Sequence, residues 1–76
     1  MSKQAYGWLI DVTERGGRCI ARFHVAVPSK QDAIIAVRRR VRDAADTTIV
    51  AVRALSRHAV YNQLSLKRGD IAQVHD

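Results

Sequence analysis

Apolar positions alternate along two runs near the start of the chain, Tyr6 to Thr13 and Arg18 to Val27. Alternation of this kind marks half-buried strands, because successive side chains point to opposite faces. Between the runs lies Glu14-Arg15-Gly16-Gly17. A Gly-Gly pair supplies the positive φ angles of a two-residue hairpin turn. A turn centred on Gly16-Gly17 sets Trp8 opposite Val25, Ile10 opposite Phe23 and Val12 opposite Ala21, all on one face. The other face receives Leu9 opposite His24 and Asp11 opposite Arg22, the latter an opposite-charge pair. Turn chemistry, apolar face and charge pairing agree on this register.

After Pro28 the period changes from two to between three and four. Ser29 predicts a helix N-cap, with Asp32 three residues later in a capping-box-like position. Ile34, Val37, Val41 and Ala44, with Ala33 beside them, form one apolar stripe for the Trp8–Ile10–Phe23–Val25 face. The far side of this helix carries Arg38, Arg39 and Arg42 with Ile35 among them, and Arg40 on a flank. Arg39 with Asp43 and Arg42 with Asp46 are spaced for intrahelical ion pairs.

Thr47 and Thr48 lead into the β-branched run Ile49 to Leu55, a third strand. A right-handed connection makes the second and third strands parallel, either as neighbours or with the first strand between them. Beyond Ser56 two readings stand. The first is a short helix from about Arg57 to Leu64, followed by a loop and a brief extended tail. The second is a small hairpin across Lys67-Arg68-Gly69-Asp70. The helix is the preferred reading. The expected architecture is therefore α+β: a small two-layer α/β sandwich in which a β-hairpin precedes a β-α-β unit (a ββαβ core), with a three-stranded sheet and a short C-terminal helix.

Length changes the picture only by limiting it. Residues 1–76 make a single small domain, and a chain this short buries only roughly 60% of its unfolded surface. Dimerisation would add to so small a core. Leu64, Leu66, Ile71 and Val74 are apolar residues without an evident place, and they supply one motive for a homodimer. Charge changes it more. Thirteen Lys and Arg against seven Asp and Glu give a net charge of +6, which suits an anionic partner.

The chemistry-bearing residues point away from catalysis. Cys19 is the only cysteine, so neither an internal disulfide nor a paired-cysteine zinc site is expected. Cys19 and His24 are five apart in one strand and point to opposite faces, which excludes a nucleophile–base pair within it. His24, His58 and His75 lack metal-ligand spacing. Gly16-Gly17 is a turn without the lysine and following helix of a phosphate loop. No cofactor is expected. The opening residues carry no apolar signal region, no stretch approaches the ~20 apolar residues of a membrane span, and a cytoplasmic setting without membrane contact is the expectation.

What remains is a binding module. Arginine forks match phosphate oxygens, and a helix holds several of them along a backbone. Arg38, Arg39, Arg42, Lys67 and Arg68 are the candidate nucleic-acid contacts, in weak and nonspecific binding. The sheet face away from the helix, expected to present Leu9, Asp11, Ile20, Arg22, His24, Ile49, Ala51 and Arg53, is the alternative. There Arg22, His24 and Arg53, with Ile35 on the helix, are candidate partner contacts of a protein-interaction or homodimerisation module. Exposed aromatics that would stack bases are scarce.

Overall fold

The computed structural model describes residues 5–41 and 46–74. The elements run β1 (Gly7–Glu14), β2 (Cys19–Val25), α1 (Lys30–Arg40), β3 (Thr47–Leu55), a π-helical segment (Ala59–Gln63) and β4 (Ile71–Gln73). The four strands form one antiparallel sheet in the order β3-β1-β2-β4. The fold is mixed α+β. The expected three-stranded sheet gains a fourth strand from the extended tail. β1 lies between β2 and β3, so those two run parallel without touching, one of the two arrangements the connection rule allows.

The hairpin register is Trp8↔Val25, Leu9↔His24, Ile10↔Phe23, Asp11↔Arg22 and Val12↔Ala21, as expected. The turn that produces it is different. Thr13 pairs with Cys19, and the amide of Glu14 donates to the carbonyl of Arg18. The loop is therefore three residues, Arg15-Gly16-Gly17, and Ile20 is an extra residue bulged from β2. Gly16 and Gly17 both have positive φ, +105° and +91°, which explains the glycine pair. A longer loop and a one-residue bulge offset each other, so the pairs beyond Val12 fall where a two-residue turn would put them.

Ser29 caps α1, its hydroxyl accepting from the Asp32 amide at 3.3 Å. Ala33 and Val37 are fully buried against Ile10, Val12, Phe23 and Val25. The helix is shorter than the apolar stripe predicts. It closes at Arg40, and Val41 is extended (φ −95°, ψ 114°) while still packing on this core. Arg42, Asp43 and Ala44, and with them both expected ion pairs, lie outside the described residues.

β3 pairs with β1 through Leu9↔Arg53, Ile10↔Ala51, Asp11↔Val50 and Val12↔Ile49, with Val52 as a bulge. Ile49 and Ala51 therefore pack toward the helix. This corrects their expected place on the opposite face. In a run of consecutive apolar residues either phase of the alternation fits a core.

A second core cluster lies on the sheet's other side, built from Leu9, Ala26, Leu55 and Val60, with Tyr6, Leu64 and Leu66 packed against it. Val60 brings the C-terminal segment over the sheet. Where a short C-terminal helix from about Arg57 to Leu64 is expected, the structure has a short π-helical piece, Ala59–Gln63. The Ser56 hydroxyl accepts from the Ala59 amide, and Val60 donates to Ser56 as in an α-helix. Leu64 then donates to Ala59, five residues back. Gly7 is buried beneath this cover. A Cβ there would stand 2.5 Å from the Val25 carbonyl oxygen and 2.9 Å from Val60 Cγ2.

A candidate nucleic-acid interface at the hairpin-tip half

The topology sorts the basic residues into two groups. α1 begins beside the far end of the hairpin, where the Trp8 indole donates to the Pro28 carbonyl at 2.9 Å and Lys30 stands 5.9 Å over the Trp8 ring. It runs back toward the tip, and β3 starts there with Thr47 paired to Glu14. The amide of Arg15 in the turn donates to the carbonyl of Asp46 at 3.2 Å, tying the tip to the strand that follows the helix. Arg15 and Arg18 in the turn and Arg38, Arg39 and Arg40 in the last helical turn therefore share one half of the molecule. All five are exposed. Among the described residues none of them has an ion-pair partner. Ile35, 43% exposed, lies one turn before Arg38 and Arg39 on the outer helix face. Among the described residues, Glu14 and Asp46 are the acidic residues beside this group.

Lys67 and Arg68 stand at the opposite end. The following residues Gly69 and Asp70 exchange hydrogen bonds with Ala26, just past the end of β2. The Asp70 carboxylate accepts from the Lys67 amide at 2.9 Å and closes this loop. The fold thus separates Lys67 and Arg68 from Arg38 and Arg39, and supplies Arg15 and Arg18 in their place. The turn arginines flank a glycine pair in the sequence, but only the return path of α1 brings them near the helix end.

The outer sheet face holds the other candidates. Arg22 grips Asp11 through two bonds, Nε to Oδ1 at 2.6 Å and Nη2 to Oδ2 at 3.1 Å. His24 is half-buried between Leu9 on β1 and Ala72 on β4. Burial lowers its pKa below the usual 6.5, and the charges of Arg53 and Arg22 lower it further. Arg53 sits across from Leu9 on β3. Ile20, Val50 and Val52 are 46–49% exposed. Cys19 is exposed, its thiol 3.5 Å from the Ala21 carbonyl. Among the described residues no three His, Cys, Asp or Glu side chains are grouped to hold a metal ion.

Of the aromatics, Phe23 is buried and Trp8 is half-buried against Pro28 and Lys30. Tyr61 is exposed but meets Tyr6 edge-on at 6.3 Å. Among the described residues, no helix is long and apolar enough to cross a membrane. No protein-family model, curated protein or solved structure matches this chain.

Proposed function

We propose that the protein is a non-enzymatic, cytoplasmic binding module that engages nucleic acid weakly and nonspecifically through its tip half. The carrying observation is the gathering of Arg15, Arg18, Arg38, Arg39 and Arg40 in one half of the molecule, all exposed. Guanidinium groups in such an array meet successive phosphates and release counterions, a sequence-independent source of affinity. Arg42, an expected contact, lies outside the described residues. Lys67 and Arg68, at the other end, are not part of the proposed contact.

Fluorescence anisotropy with a labelled duplex between 50 and 200 mM salt tests the reading. Each neutralised phosphate adds about 0.7–0.9 to the salt slope, so a partial engagement of the array gives a slope of about 2–4 in magnitude. Arg38→Gln with Arg39→Gln lowers both affinity and slope. Lys67→Gln with Arg68→Gln leaves both in place. Absence of binding at low salt, or an unchanged slope in the helix double variant, defeats the proposal.

A further inference from the structure

β3 is an edge strand of nine residues, whereas the other edge, β4, has three. A short edge gives little template for pairing, but a long one does, and proteins usually blunt it with lysine or proline. From Thr47 to Val52 the strand reads Thr-Thr-Ile-Val-Ala-Val, without charge, proline or glycine. Val50 is 46% and Val52 48% exposed. Ile49 and Ala51 touch the helix-side core but are left half-exposed at its rim. Among the described residues, the apolar core thus runs out to this edge uncovered. The Val52 bulge marks where regular strand geometry stops, so the pairing segment is Thr47–Val52.

We infer that two copies of the chain pair antiparallel through β3, about a twofold axis at Val50, to make one continuous eight-stranded sheet. Charge complementarity selects a second copy as the occupant. The uncharged segment is bounded by Asp46 on one side and Arg53 on the other. Antiparallel pairing centred on Val50 sets Val50 against its counterpart, Ile49 against Ala51 and Thr48 against Val52. It brings Asp46 of each copy next to Arg53 of the other. The strand alternation and the Val52 bulge put both residues toward the outer face. The axis stands perpendicular to the sheet, so both helices lie on the same side. The rims at Ile49 and Ala51 then close on each other as an extension of the core. Three of the four residues that motivated a homodimer are used within the chain, since Leu64 and Leu66 pack on its own Leu9–Leu55 cluster and Ile71 on its helix-side core.

Sedimentation equilibrium from micromolar to millimolar concentration reads the association directly. The wild type is expected to move from the 8.5 kDa chain to a species of twice that mass. Val50→Lys places two ammonium groups on the axis and is expected to weaken association at least tenfold. Its circular dichroism and melting stay near wild type, because the position is exposed. Asp46→Arg alone weakens the dimer, and Asp46→Arg with Arg53→Asp restores it. Ile20→Lys, on the outer face away from β3, leaves it intact. A chain that remains 8.5 kDa at every concentration overturns the inference. So does a dimer that withstands Val50→Lys, and so does one that Ile20→Lys abolishes.

Discussion

Replacing Gly7 with alanine tests the close approach of β1 to the backbone of β2 and to Val60. A Cβ at this position would lie 2.5 Å from the Val25 carbonyl oxygen and 2.9 Å from Val60 Cγ2. Nonbonded carbon contacts relax at about 3.5–4.0 Å, so the backbone of β2 must retreat by about 1 Å. The Val60 methyl can yield by rotation, but Val25 belongs to a hydrogen-bonded strand flanked by β1 and β4. Overpacking of this kind costs about 1–3 kcal/mol, and a backbone partner puts Gly7→Ala in the upper half of that range. Removing a glycine from the unfolded ensemble returns about 0.4–1 kcal/mol. The net loss is about 1–2.5 kcal/mol. At 4–8 °C per kcal/mol for a domain of this size, Tm falls by about 4–20 °C. Trp8, the only tryptophan and the next residue, reports the melt by fluorescence. Gly17→Ala separates the steric cause from a backbone one. Its Cβ meets nothing within 4 Å, but φ is +91°, so asparagine is tolerated there better than alanine. At Gly7 asparagine must be worse than alanine. A Gly7→Ala protein that melts at or above the wild-type temperature refutes the close-approach argument.

The remaining expectations follow from the same core and face. Ile10→Ala, at a fully buried site on the central strand, loses about 2–5 kcal/mol in urea denaturation, and a loss under about 1 kcal/mol would mean that the site is not packed as described. A double-mutant cycle on Asp11 and Arg22, paired but with Arg22 side-chain exposure of 48%, gives a coupling of about 0.2–1 kcal/mol that shrinks with salt; a coupling insensitive to salt contradicts the exposed pair. The depressed pKa of His24 means that the unfolded chain binds the proton more readily, so its contribution to stability is complete above pH 6.5 and declines as pH falls from there toward the folded pKa. NMR titration of the His24 ring should give a midpoint below 6.5, and Arg53→Gln should raise it; a midpoint at or above 6.5 contradicts the assignment.

The sequence made the hairpin legible because three signals converged on one register. It concealed the turn, because a three-residue loop with a bulge at Ile20 gives the same pairs as a two-residue turn. The end of α1 was hidden for a related reason. Val41 serves the core equally from an extended backbone, so apolar spacing continues past the last helical residue. In β3 the uninterrupted apolar run left the inward face undetermined, and the contact with Ile10 and Val12 decides it for Ile49 and Ala51. The arginines of the helix were visible by their spacing. Their grouping with Arg15 and Arg18, and their separation from Lys67 and Arg68, depend on the path of the chain across the sheet, which no local pattern records.

The strand order also has a consequence for synthesis. β1 is first in the chain and central in the sheet, and its two neighbours arrive at very different times. β2 follows after a turn of a few residues, whereas the last residue of β3, Leu55, comes 41 residues after Glu14 ends β1. At about 5–20 residues per second, a ribosome takes about 2–8 s to make that stretch. During this interval the nascent hairpin carries Ile10 and Val12 beside an open hydrogen-bonding edge; the helix is added partway through it and β3 only at its end. Codons that slow translation between Glu14 and Leu55 lengthen this exposure, and the yield of soluble protein becomes sensitive to the pace of elongation as well as to the stability of the finished fold.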